Sequence, residues 1–192
     1  MDFLINVAIQ YNDAFLVLHL FAMVIGLGGA TYTDILLVKF LKDLKIDAKE
    51  KSIIHTMSTV VSLGVLLALL SGIMLFLADI ETIIQKPKFQ VKVIIFGIIM
   101  INGYLLHKII LPRLINFSFN KEHYLLKFLH LRQIGFILGS ISAVSWYSVF
   151  LLGGFSQIPF SFFQLIIAYL VTLVLAISGS LVIEKYIKVQ SQ

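Results

Sequence analysis

The stretch His19–Phe40, HLFAMVIGLGGATYTDILLVKF, decides the fold of this chain because it is long, apolar and interrupted by few polar side chains. At a rise of about 1.5 Å per residue, a helix of this length covers the roughly 30 Å of hydrocarbon in a bilayer. His19 and Asp34 are its exceptional residues, since ionisable groups within such segments are rare and usually functional. The stretch therefore predicts a membrane-spanning helix that carries a polar site.

The rest of the chain has the same apolar character. Of its 192 residues, 59% are hydrophobic and 13% are charged, and the mean hydropathy is +1.00, outside the range of soluble domains. No ten-residue alternation typical of a membrane barrel is present. Five apolar segments, at about residues 14–38, 53–78, 89–107, 133–152 and 160–183, predict one all-α domain over residues 1–192, an integral membrane bundle of five transmembrane helices.

The positions of the basic residues predict the orientation of this bundle. Twelve of the fifteen Lys and Arg residues follow the first, third and fifth spans, and three follow the second. The positive-inside rule then gives an N-out, C-in topology. The net charge of +5 thus reflects topology and gives no reason to expect nucleic-acid binding. Because no cleavable signal peptide is recognisable, the first span is expected to remain, in a multi-pass protein of the inner (plasma) membrane with lipid as its main partner.

Local signals predict some helix ends and contacts. Pro87 is suited to open the third span, and Asp47, with Glu50 three residues later, resembles a capping box at the start of the second. Small residues in the first and fourth spans predict close helix packing. They are Gly26, Gly28, Gly29, Ala30, Gly135, Gly139 and Ala143.

Four ionisable residues from four spans fall at one predicted level near the cytoplasmic face: Asp34, His55, His107 and His130. Histidines at equal depth on separate helices are suited to b-type haem, whose iron takes one axial imidazole from each face. The same four residues could instead bind a non-haem metal ion. They could also relay protons or cations, a frequent role of carboxylates and imidazoles within membranes.

A plainer interpretation exists for part of this set. His107 and His130 lie close to Lys108 and Arg132, so both rings could occupy the headgroup region. Asp34 is harder to place in lipid, because an unpartnered carboxylate about one turn inside the interface costs about 2 to 3 kcal/mol. Its nearest partners by level are Lys39, His55 and His107, and protonation of the carboxylate is the alternative.

The pattern His-x6-Gly-x-Gly-Gly, formed by His19, Gly26, Gly28 and Gly29, carries a family resemblance. It resembles the first helix of small bacterial haem-binding membrane proteins of the copper-resistance-D and oxygen-independent protoporphyrinogen-oxidase type. The resemblance implies that His19 is an axial haem ligand. The levels of the histidines favour a different axial pair, His55 with His107.

Polar and aromatic residues in the outer half of the fourth span suggest a second surface. Ser142, Ser145 and Trp146 could line an internal pocket together with His19, where hydroxyl and indole groups would contact a quinone or another small ligand. The alternative for Trp146 and Tyr147 is an aromatic belt at the membrane interface.

The sequence leaves two main functions open. It contains no hydrolase triad, phosphate loop or zinc-protease helix, and without cysteine it cannot attach c-type haem covalently. The first function is an oxidoreductase-type electron-transport protein that binds haem b, with a quinone or a redox protein as partner. The second is a small-solute or ion/proton transporter or channel subunit that uses Asp34 and His55, for which a homo-oligomer is expected. An assembly role without chemistry is a third, and whether the chain is an enzyme stays open.

Overall fold

The computed structural model describes residues 2–43, 48–110, 112–113, 125–155 and 158–190. Asp47, the predicted cap of the second span, lies outside these residues. Every regular element in the described ranges is helical: α1 (Asp2–Gln10), α2 (Asn12–Asp43), α3 (Ala48–Ala78), α4 (Ile80–Ile84), α5 (Pro87–Tyr104), its π-helical continuation (Leu105–Ile110), α6 (Leu125–Gly154) and α7 (Phe162–Gln190).

Five of these helices are long and apolar enough to cross a membrane: α2, α3, α5 with its continuation, α6 and α7. The predicted all-α bundle with five such helices is therefore confirmed. Several helices extend past the apolar segments, since α3 begins at Ala48 and α6 at Leu125. Hydropathy marks only the part of a helix that crosses hydrocarbon, and the helical backbone continues into the more polar flanking sequence.

Residues next to the start of α5 and of α7 determine where these two helices begin. α5 begins at Pro87, as predicted, directly after the extended residue Lys86. α7 begins at Phe162, two residues after the predicted start, because Ser161 and Gln164 form a capping box. The Ser161 N–H donates to Gln164 Oε1 at 2.9 Å, and the Gln164 N–H donates to Ser161 Oγ at 3.4 Å.

Glycines permit the closest helix contact, which joins α2 and α3. A Cβ atom on Gly64 would lie 2.6 Å from the backbone nitrogen of Gly26, so neither position leaves room for a side chain. The indole of Trp146, from α6, packs against Gly26 of α2. Gly28 instead faces open space. The predicted small-residue patch therefore mediates packing at some of its positions only.

The order of helix contacts leaves a gap on one side of the bundle. α2 packs on α3 and α6, and α6 packs in turn on α5 and α7. α3 and α5 meet near their connected ends, where the rings of Phe76 and Phe89 stack with centroids 5.2 Å apart. Elsewhere, contacts between the described residues of α3 and α5 are sparse. A cleft thus opens between these two helices, away from the stacked rings.

Candidate functional site

A cavity of about 450 Å³ occupies the cleft between α3 and α5, with α2 and α6 as its inner wall. This volume lies within the range of small-molecule sites in proteins. Its lining combines apolar residues with polar side chains from all four helices. The polar side chains include Asp34, His55, Ser58, Thr59, Ser62, Asn102, His107 and Ser142.

Asp34 of α2 supplies the carboxylate of the cavity. One partner is the hydroxyl group of Ser142 on α6, which hydrogen-bonds to the Asp34 carboxylate. The second oxygen, Oδ2, is buried and has no hydrogen-bond partner among the described residues. The carboxylate is therefore held in place by α6 and retains one buried acceptor atom without a partner among the described residues.

Asn102 of α5 is a buried polar residue of the cavity that was not predicted from the sequence. The side chain is 5% exposed, and its Nδ2 donates to the carbonyl oxygen of Leu138 at 3.1 Å. This bond fixes the orientation of the amide, so that Oδ1 is the free acceptor, and Oδ1 has no partner in the described part of the chain. An asparagine within an apolar span was the available signal, since a polar side chain at membrane depth is seldom retained without a function.

His107 lies in the π-helical segment that continues α5. Asn102 and His107 are five residues apart, and in a regular α-helix such residues differ in direction by about 140° around the axis. A π-helical turn contains more residues, so His107 lies closer to the helix face of Asn102 than it would in a regular α-helix. Such π segments are frequent at functional sites. The His107 Nδ1 atom is buried and finds no partner among the residues described. Hydropathy gives no indication of this local widening.

The structure brings together three of the four ionisable residues predicted at one level. Asp34, His55 and His107 all line the cavity, with His55 exposed at its edge. His130 is exposed and does not line it, because the neighbouring Leu131 takes the buried position on α6. Within the ranges described, no three His, Asp or Glu side chains lie close enough together to hold a metal ion.

His19 belongs to a different part of the bundle. Its Nδ1 lies 3.0 Å from the hydroxyl oxygen of Ser71 on α3, and along α2 it is about 22 Å from Asp34. Ser142 and Trp146, which were predicted to share a pocket with His19, line the Asp34 cavity, and His19 is not among the residues of that cavity.

Trp146 is an interior residue rather than part of an interfacial belt. Only 2% of its surface is exposed, and its ring packs on Gly26 while lining the cavity. The neighbouring Tyr147 is exposed and shares a 3.3 Å hydrogen bond with Thr31. Ser145, also predicted at this pocket, is buried against Tyr169, with 2.9 Å between the hydroxyl oxygens.

A buried ion pair joins α6 to α7 outside the cavity. Both Nε and Nη2 of Arg132 donate to Glu184 Oε1, at 2.9 and 2.6 Å, and the side chains are 0% and 7% exposed. From the sequence alone, Arg132 is predicted only to be a loop charge. Its partner lies 52 positions later in the chain, which residue spacing does not reveal.

No family model, curated protein or solved structure matches this chain. The resemblance of the first span to haem-binding membrane proteins therefore stays a prediction, and the fold itself is a five-helix apolar bundle. By its helix lengths and composition, the chain is a multi-pass helical membrane protein. Its cleft between α3 and α5 is the candidate functional site.

Proposed function

We propose that the cleft binds a small solute or ion and that the chain is a transporter or channel subunit. One observation carries this proposal: Asp34, Asn102 and His107 line one cavity, and each carries a buried side-chain polar atom without a hydrogen-bond partner among the described residues. Buried polar groups in native proteins are nearly always hydrogen-bonded, so unpaired ones at a cavity indicate a missing ligand or water.

The membrane setting strengthens this argument. Within hydrocarbon, each unsatisfied polar group costs several kcal/mol, so a cluster of three is a large penalty unless something occupies the cavity. Intramembrane carboxylates and imidazoles are typical of ion and proton pathways. The N-out, C-in orientation, the inner-membrane location and a homo-oligomeric assembly belong to the same proposal.

The test uses protons as the probe. Purified protein is reconstituted into liposomes with an entrapped pH-sensitive dye, and a potassium diffusion potential drives the flux. We expect the wild-type protein to raise the proton flux above that of protein-free liposomes. Asp34→Asn should return the flux to the protein-free level, because the substitution keeps the shape of the side chain and removes its ionisable group.

Asp13→Asn is the matched control, since Asp13 is an exposed carboxylate at the start of the same helix, outside the cavity. This variant should behave as wild type. A flux that is equal in wild type and Asp34→Asn would remove Asp34 from the pathway. A wild-type flux no greater than that of empty liposomes would contradict proton passage.

A second candidate function is haem b binding, and a specific observation favours it. His55 of α3 and His107 of α5 line the same cavity from two helices that are in sparse contact there. Two axial imidazoles reach one iron from opposite faces of a porphyrin, and ligands on two facing helices are suited to this. A haem bound in this way would transfer electrons to a quinone or a redox protein.

An absorption spectrum tests the haem candidate. Protein purified from haem-sufficient cells should show an intense Soret band, and His55→Ala or His107→Ala should diminish it. His130→Ala, at an exposed position outside the cavity, should leave the band unchanged. Colourless wild-type protein would exclude this candidate, and a band unaffected by either alanine variant would exclude the two ligands.

A further inference from the structure

The free polar atoms of the cavity are mainly acceptors. Asn102 presents Oδ1, because its Nδ2 is already bound to the Leu138 carbonyl. In Asp34, which also lines the cavity, the buried carboxylate oxygen Oδ2 has no partner among the described residues. An occupant that satisfies both atoms must donate hydrogen bonds, which excludes simple anions and the carbonyl oxygens of quinones as partners for these two atoms.

The carboxylate also lacks a cation of its own. Lys108 lies at the edge of the cavity with an exposed side chain. Asp34 takes part in no ion pair within 4 Å among the described residues. The other titratable side chains that line the cavity are His55, Tyr104 and His107. The positive charge that a buried carboxylate requires is thus left for the occupant to supply.

The remaining walls determine the shape of that occupant. Val61, Ile99 and Trp146 give the cavity apolar and aromatic surfaces next to the polar atoms. A volume of about 450 Å³ far exceeds that of a bare ion, since one water occupies about 30 Å³ in the liquid. An indole face also attracts organic cations. The cavity therefore suits a positively charged donor group attached to an apolar body.

We propose that the cleft takes an amphipathic organic ammonium ion, whose N–H groups donate to Asp34 Oδ2 and Asn102 Oδ1 while its alkyl part packs on Trp146 and Val61. This inference rests on the proposed function of the cleft as a ligand site and names the class of ligand. The gap between α3 and α5 gives such an amphiphile a lateral route from the bilayer.

Trp146 provides the assay, because it is the single tryptophan of the chain and lines the cavity. The full-length protein in lipid nanodiscs is titrated with n-hexylammonium, 1-hexanol and hexanoate, which share one alkyl chain and differ in the head group. Tryptophan emission is recorded at fixed lipid content. We expect a saturable change with n-hexylammonium and an affinity at least about tenfold lower for the other two probes.

Asp34→Asn should weaken n-hexylammonium binding by about 10- to 100-fold, the usual effect of losing a charge-assisted hydrogen bond. Asp13→Asn, on the same helix outside the cavity, should bind as wild type does. Because Trp146 is the single tryptophan, any saturable change in emission reports on the surroundings of this one side chain. If Asp34→Asn fails to fold, the comparison of the three probes on wild type decides alone.

The outcomes separate the two proposals. The ammonium assignment is overturned if 1-hexanol or hexanoate binds saturably with an affinity within about threefold of that of n-hexylammonium. It is also overturned if folded Asp34→Asn binds n-hexylammonium as wild type does. Both results leave the ligand site intact. If none of the probes gives a saturable change, the ammonium assignment fails, and the proton-flux test then decides separately on the cleft as a pathway.

Discussion

At the scale of single residues, Asp34 and Asn102 show what a membrane sequence can and cannot reveal. Asp34 was identifiable because a carboxylate inside an apolar span is costly. The importance of Asn102 depends on which way its amide faces, and this is set by the carbonyl of Leu138, 36 positions further along the chain. No sequence pattern encodes that contact, so the second acceptor of the cavity emerges only from the fold.

Glycine positions give a residue-scale prediction about packing. Gly64→Val should lower the free energy of unfolding by about 1 to 3 kcal/mol or more, and the melting temperature with it, because the new side chain would collide with the Gly26 backbone. Gly28→Ala should be neutral or slightly stabilising, since the position faces open space and alanine favours a helix. Thermal unfolding in detergent measures both variants. Equal melting temperatures for the two would contradict the close approach of α2 and α3.

At the scale of elements, hydropathy was sufficient to place five membrane-crossing helices, because a span must be long and apolar whatever its neighbours are. The π-helical segment Leu105–Ile110 was not foreseeable. Its sequence, LLHKII, differs little from that of an ordinary helical turn, so no residue pattern marks the distortion. The segment nevertheless determines how His107 is placed.

The contact between α6 and α7 supports an element-scale prediction. Arg132→Met should destabilise the protein by about 3 to 5 kcal/mol, because it leaves the buried Glu184 carboxylate without its partner. The double variant Arg132→Met/Glu184→Leu should recover most of this loss, since two apolar side chains can replace a buried ion pair. Chemical unfolding in mixed micelles measures the difference. A double variant as unstable as the single one would contradict the pairing.

At the scale of the whole molecule, the cleft exists because α3 and α5 touch near one end and are in sparse contact elsewhere. The sequence predicted a shared level for Asp34, His55 and His107 from their depths. It could not show which helices are neighbours, and for this reason it included His130, which faces outward. Depth follows from position along one helix, whereas neighbours follow from packing among all five.

The most direct test of a polar, ligand-accessible cleft within the bundle is cysteine reactivity, since the natural chain has no cysteine. Ser62→Cys places a thiol on the cavity wall of α3, and Ser178→Cys places one on the exposed surface of α7. Labelling in intact membranes with a small charged thiol reagent should modify Ser62→Cys readily and leave Ser178→Cys, in lipid, unmodified. Equal protection of both thiols would contradict a cleft that polar molecules can enter.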